Sequence, residues 1–453
     1  MSAPALEELE RLLGAKVVSD PDRTTPFARD QSPVAEVGTP LAVVRATSTD
    51  DVVATLRTAT RFGVPVVTRG AGSGLAGGAN ATDGCVVLSV EGMDRVLGID
   101  PARRTATVQP GVLNGDLGRA VAAHGLRYTP DPGSREISSI GGNIATNAGG
   151  MSCCKYGVTA DHVAALTAVL PDGTVIRTGG ATRKNVTGLD LTRLLVGSEG
   201  TLAVVVEATV WLRPASEQES TLVAMFATVD AAVRAVVATT AVTTPSAMEL
   251  MDRTTIAAVN EMTGMGIDAD AAAVLLVTCD GPAAAAEAEV CERAATANGA
   301  TDVFRTDDRD EGTELMNARR MALPALERKG SILLDDVGVP VGRLPEMVAA
   351  IEGIAAKCKV TIGTFGHAAD GNLHPTIIYD AGDDEERQRA LDAFAAIVRA
   401  GLALGGTVTG EHGIGSLKMP FVGEMYGEAE IALMRRVKAA FDPDGLMNPG
   451  RGY

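Results

Sequence analysis

At 453 residues the chain exceeds what one hydrophobic core comfortably supports, so two or three domains are expected. With 46% hydrophobic and 21% charged residues it has the composition of a folded protein, which excludes a mainly disordered chain. A formal net charge of −17 argues against a nucleic-acid partner, yet leaves room for a small anionic substrate, because one buried arginine can dominate a local field.

In chain order, the acidic N-terminus from Met1 to Arg11 lacks a basic region followed by an apolar one, so no secretory signal is expected. No uninterrupted apolar run of about 18 residues occurs, so no membrane-spanning helix is expected. Leu41–Val44 reads as a strand. Ser48 reads as an N-cap, with Asp50 and Asp51 in the first turn of a helix that continues through Val52–Phe62. Val64–Thr68 is the next strand. Further strands are read at Cys85–Val90, Thr105–Val108, Val163–Val169 and Leu202–Leu212, with a helix at Leu113–His124.

After Pro214 the text changes to repeated strand–helix–strand units. The first is Ser220–Phe226, Val229–Thr239 and Ala247–Met251; the second is Ala272–Cys279, Ala283–Asn298 and Ala300–Arg305. A third runs from strand Ser331–Val339 through helix Leu344–Lys357 to strands Val360–Phe365 and Leu373–Ile378. Such units suggest a sheet covered by helices on one face. The last segment holds a dense motif after Thr409 and a helix near Glu428–Phe441. The fold class is α+β, with an N-terminal helical segment at 1–36 and domains at 37–215, 216–409 and 410–453.

Three glycine clusters carry the first functional signal. Gly72-Ser73-Gly74-Leu75-Ala76-Gly77 matches the GxGxxG dinucleotide fingerprint and follows a strand. However, Gly78-Ala79-Asn80 and Asp83-Gly84 would break the helix that fingerprint must open. What remains is a loop able to wrap an anion with backbone N–H groups. A tight turn alone would need one or two glycines, not five in nine residues. The second cluster runs from Pro132, Gly133 and Ser134 through Ser139, Gly142 and Asn143 to Thr146 and Gly150. It reads as loops of small polar residues that admit a flat ligand. The third is Gly197-Ser198-Glu199-Gly200-Thr201-Leu202.

Histidines carry the second signal. His367 and His374 flank a turn marked by Asp370-Gly371-Asn372, so two paired strands could aim both imidazoles into one site. Gly410-Glu411-His412-Gly413 adds a carboxylate and a third imidazole between glycines that give no packing reason for them. Two histidines and a glutamate suit Zn²⁺ or another divalent transition metal with positions left open. A lone histidine is more often structural, which is the reading for His124 and His162.

The order PVVTRGAGSGLAGG (65–78), PDPGS (130–134), SSIGGNIATNAGG (138–150), KYG (155–157), PDG (171–173) and GSEGTLAVV (197–205) resembles the PCMH-type FAD-binding domain of the vanillyl-alcohol oxidase superfamily. The C-terminal half resembles the branch holding D-lactate dehydrogenases, D-2-hydroxyglutarate dehydrogenase and the glycolate oxidase D subunit. The resemblance implies a two-part FAD domain, a substrate domain with a helix-covered antiparallel sheet, and a C-terminal segment returning to the flavin. It implies that Arg69, Gly70, Ala71, Gly72, Ser73 and Gly74, with Gly77, wrap the FAD pyrophosphate. Pro132, Gly133, Ser134, Ser139, Gly142, Asn143 and Thr146 then line the flavin. Glu199, Gly200, Leu202 and Val204 lie near the adenosine end, and Asn448 completes the cofactor set. Where some relatives carry a histidine bonded to the flavin, this chain has Ser73, so FAD is expected to be non-covalent.

By the same resemblance His367, His374 and Glu411 are ligands to a divalent metal, with Zn²⁺ the ion expected, and His412 is the base. Arg319 rather than Arg320 holds the substrate carboxylate. Leu334 stands where relatives acting on 2-hydroxyglutarate place a lysine. It would leave a second carboxylate unpaired, so a small monocarboxylate such as glycolate or D-lactate is favoured. The expectation is a cytoplasmic FAD-dependent oxidation of a small 2-hydroxy acid. Alternatives are a larger alcohol or sugar acid as substrate, or a flavin subunit active only with partners. The sequence leaves the electron acceptor open, a partner iron–sulfur subunit among the options, and is compatible with a homodimer. No ferredoxin-like cysteine spacing occurs, so no cluster is expected within this chain.

Overall fold

A computed structural model describes residues 2–453. The chain divides into two compact units. One comprises the residues up to Gly149, Gly157–Ala215 and Glu411–Tyr453; the other comprises Gly150–Tyr156 and Ser216–Gly410.

The first unit contains a four-stranded and a five-stranded sheet. In the smaller, Ala42–Arg45 and Val66–Arg69 run parallel on either side of Val86–Ser89, and Val17–Val18 adds an antiparallel edge. Helix Thr49–Phe62 connects two of these strands. Ser48 caps it, in a reciprocal pair with Asp51, and Gly63 ends it in the left-handed conformation. Its apolar face packs Val52 and Leu56 with Ala5 and Leu9 of helix Ser2–Leu13 onto Val66, Val86 and Leu88. The larger sheet is antiparallel, with Val204–Trp211 between Thr105–Val108 and Val163–Val169. Its core gathers Val108, Leu117, Ile140, Ile144, Leu166 and Leu202.

The second cluster differs from the loop expected. Ile140–Thr146 is a helix of seven residues, capped by Ser139, whose hydroxyl accepts the Gly142 N–H. It ends at Asn147 in the left-handed conformation (φ 53°). Seven residues with two glycines are too few to show a helical period, and tertiary contacts hold the turn: Ile140 and Ile144 are fully buried, and Asn143 Oδ1 accepts from Asn114.

The second unit is built on one antiparallel sheet of eight strands. Glu219–Phe226, Ala273–Asp280 and Ala247–Asp252 lie side by side. Thr361–His367 and Asn372–Tyr379 extend the sheet as a hairpin. Helices 229–240, 284–297, 309–320 and 384–403 pack against it. The single strand read over Ser331–Val339 is two, Ser331–Leu334 and Val337–Gly338, both paired with Asn372–Tyr379. Asp335 and Asp336 interrupt it. Both are fully buried, and Asp336 Oδ2 accepts from the Thr409 hydroxyl at 2.6 Å and the Gly410 N–H at 2.8 Å. Among the described residues, no helix is long and apolar enough to cross a membrane.

Candidate active site

Within the first unit the three glycine clusters converge. The 70–80 segment forms no helix or strand, and Gly72 and Gly77 adopt positive φ of 69° and 77°. The Ala71 N–H donates to Ser139 Oγ at 3.2 Å, and a Cβ on Gly70 would stand 2.5 Å from that oxygen. Only glycine permits this approach. From the third cluster, the N–H groups of Gly197 and Glu199 donate to the carbonyls of Ile144 and Ala145.

The C-terminal segment closes around the same loop. Ser416 and Leu417 N–H groups reach the Ala76 carbonyl, Arg451 reaches those of Gly77 and Asn80, and Asn448 Nδ2 reaches that of Gly78. Gln31 takes the Gly74 carbonyl. These bonds hold the loop's carbonyls, and Ala71, Gly77 and Ala79 give their N–H groups to Ser139 Oγ and Asp30, so the N–H groups of the 72–76 stretch are the ones that could meet an anion. Arg69 supports the loop from within: its guanidinium donates to the Arg29 carbonyl and lies against Gly72. Burial pulls the Arg69 pKa below its usual value, while Glu91 and Asp30 partly restore it. Burial likewise pushes Asp30 up, although Ser32, Ala79 and Gly77 N–H groups oppose the rise.

Glu199 acts as a clamp. Its carboxylate accepts the N–H groups of Ile414 and Gly415 at 2.8 and 2.7 Å, while burial raises its pKa against those bonds. Both Glu199 and Asn448 have positive φ (50° and 44°), a conformation that persists only where the surroundings dictate it. Leu202 and Val204 are packed core side chains, so any contact of theirs with a ligand would be through backbone. Pro132 and Ser134 form a turn, their carbonyls accepting from Arg135 and from Ile137 and Ser138, and Gly133 faces open space. Thr146 returns its hydroxyl to the Gly142 carbonyl. Around the loop Thr68 Oγ1, Ser416 Oγ and Asn448 Oδ1 are buried with no protein partner. That set suits a ligand rich in both donors and acceptors.

Within the second unit the hairpin does bring the two histidines together. Phe365 pairs with His374 across the strands and His367 lies two residues further on, so both imidazoles share a face with ring centroids 5.1 Å apart. Gly371, at φ 74°, makes the turn; a Cβ there would lie 2.0 Å from the Val339 carbonyl. His367 Nδ1 sits 2.8 and 3.0 Å from the two oxygens of Glu249, a fully buried acid on the neighbouring strand. Arg319, in the last turn of helix Arg309–Arg320, stacks over Phe365 at 4.5 Å and places Nε 2.8 Å from Glu249. That Nε–H is not aligned on the oxygen, so the contact is an ion pair more than a hydrogen bond. Burial works strongly against the Glu249 charge, but His367 and Arg319 outweigh it and hold the carboxyl below its usual range.

Half-buried Arg320 turns aside to Asn317. His374 Nδ1 lies 3.7 Å from Asp336, the residue that fixes Thr409 and Gly410. Glu411 and His412 follow Gly410 directly in the chain, with His412 Nε2 and Glu411 Oε1 3.7 Å apart. The sequence reading missed Glu249 and Asp336. The available signal was an acid inside an apolar run (AMELM, 247–251) and an acid pair following another (SILL, 331–334).

Two family models match the chain: the FAD binding domain over residues 40–179 and the C-terminal domain of FAD linked oxidases over 215–451. The glycolate oxidase subunit GlcD of Bacillus subtilis is 44% identical over 418 residues, covering 91% of this chain and 89% of the relative. A D-lactate dehydrogenase of Archaeoglobus fulgidus is 36% identical over 413 residues, 90% of each chain. In fold the chain is similar to substrate-bound p-cresol methylhydroxylase, with a TM-score of 0.82 at 19% identity over 99% of this chain and 96% of that one. The glycine loop with its converging clusters and these matches lead to one conclusion: the chain belongs to the FAD-linked oxidases and is an FAD-linked oxidoreductase.

Proposed function

We propose that the protein oxidises a small 2-hydroxy acid, glycolate or D-lactate, to the 2-oxo acid at a non-covalent FAD and a divalent metal. The observation that carries the reading is the arrangement in the second unit, where a buried arginine and two buried histidines share one sheet face. Relatives named for glycolate and D-lactate support the substrate class.

In this reading Arg69–Gly74 and Gly77 hold the cofactor pyrophosphate, with Ser139, Gly142, Asn143 and Thr146 on its flavin side and Glu199 and Asn448 securing the returning segment. His367, His374 and Glu411 would hold the metal, with Zn²⁺ favoured; two imidazoles and a carboxylate are a donor set it accepts readily. His367 fits this role, because the bond from Nδ1 to Glu249 places the proton there and the lone pair on Nε2. When bound, FAD supplies the hydride acceptor and the metal supplies a Lewis acid that acidifies the substrate hydroxyl.

The chain's own residues do the rest. Arg319 binds the substrate carboxylate as a fork of two N–H donors. With the carboxylate fixed at one end, the directions open to the Cα–H are restricted. His412 takes the hydroxyl proton as the general base. Leu334, at the buried end of strand Ser331–Leu334, offers no partner for a second carboxylate, which favours monocarboxylates. The similarity to a protein named as a subunit supports a second element of the reading: electrons leave through a partner chain. A panel of 2-hydroxy acids with an artificial dye acceptor tests the substrate assignment. Turnover confined to short monocarboxylates is expected, and preferred turnover of 2-hydroxyglutarate or a sugar acid would overturn it.

A further inference from the structure

We propose that Glu249 is a positioning residue that orients His367 and Arg319 together, so that one buried carboxylate sets the metal ligand and the substrate-binding cation relative to each other. This rests on the roles assigned to those two residues above.

The placement begins in the strand. Ala247–Asp252 carries Met248, Leu250 and Met251 as buried apolar neighbours, and Glu249 among them is 0% exposed. An unpaired carboxylate there would cost several kcal/mol, and packing alone would be better served by leucine or methionine. The register explains what it meets. Glu249 pairs directly with His367 across two antiparallel strands, so both side chains leave the sheet on one face. Phe365, two residues before His367, shares that face, and Arg319 lies over its ring. Arg319 therefore has a floor in Phe365 and a stop in Glu249.

Two consequences follow for the chemistry. Both Glu249 oxygens lie within hydrogen-bonding distance of His367 Nδ1, so the ring is held in the tautomer whose Nε2 can ligate a metal. The ion pair at Nε holds Arg319 against Glu249, and the Phe365 ring beneath it sets the guanidinium plane, which keeps the two terminal nitrogens for a planar carboxylate. A lysine in place of the arginine could not be held at one nitrogen and bind with two others.

The test compares wild type with Glu249→Gln and Glu249→Asp as FAD-loaded enzymes. Zn²⁺ affinity is measured by chelator competition, and KM and kcat with D-lactate or glycolate, whichever turns over. Glu249→Gln is expected to keep full flavin content, to bind Zn²⁺ roughly 10–100-fold more weakly, and to raise KM. Excess Zn²⁺ should restore much of kcat while KM stays high, a split that a merely structural role would not produce. Glu249→Asp keeps the buried charge but shortens its reach, so it should fold where the glutamine variant fails and show the same two effects in smaller measure. Wild-type Zn²⁺ affinity and KM in either folded variant would overturn the proposal. Wild-type enzyme that binds no added Zn²⁺ would instead overturn the metal reading of the site, and the ligand half of this proposal with it.

Discussion

Asp252 links stability to pH next to the histidine hairpin. It ends the strand that carries Glu249, caps helix Arg253–Thr263 through the Thr255 N–H at 2.8 Å, and accepts the Thr364 N–H at 2.8 Å. Burial nonetheless dominates and raises its pKa from 3.8 to about 6, against those bonds and aided by Glu352. The folded protein therefore binds this proton more tightly than the unfolded chain does. The stabilisation is complete below pH 3.8 and is lost as pH rises towards about 6. A shift of about two units at about 1.4 kcal/mol each gives roughly 3 kcal/mol. Asp252 keeps partial contact with solvent, so about 1–3 kcal/mol is the range expected. Asp252→Asn removes the titration and keeps the shape. Urea unfolding of both proteins at equal flavin occupancy, between about pH 4 and pH 7, gives the difference between them. That difference should move in the variant's favour by about 1–3 kcal/mol as pH rises, whatever its value at the acid end. A difference that does not change with pH would refute the reasoning.

Other perturbations address the cofactor and the metal. Gly70→Ala places a methyl 2.5 Å from Ser139 Oγ and should purify with little flavin, read as the ratio of flavin to protein absorbance. Asn448→Ala removes two hydrogen bonds, to the carbonyls of Gly78 and Glu199. A loss of about 1–3 kcal/mol in stability is expected, together with faster flavin release on dilution. His374→Ala should lose bound metal and turnover while retaining flavin, and full activity in that variant would remove His374 from the ligand set.

Much of the fold could be read from the sequence because its signals are local. Ser48 with Asp51 marked a helix start, and the helix Glu428–Phe441 and strand Val163–Val169 run as their patterns indicate. The glycine clusters were legible as loci of close backbone approach, although the seven-residue helix after Ser139 was not. Helix Asp384–Ala403 went unread even though Asp383 and three following acids announce it. The break at Asp335–Asp336 depends on Thr409 and Gly410, more than seventy residues away, which no local pattern encodes. Glu249 was hidden for the same reason: its partner His367 lies 118 positions along the chain. Histidines flanked by glycine stand out in a sequence, whereas an acid in an apolar strand gains meaning only when its cross-strand neighbour is known.

The most direct test of the central claim is anaerobic reduction of the bound flavin. Glycolate or D-lactate added to the FAD-loaded protein without any acceptor should bleach its yellow absorbance, with one 2-oxo acid formed per flavin. Flavin that stays oxidised with every short 2-hydroxy acid, yet is reduced by dithionite, would contradict it.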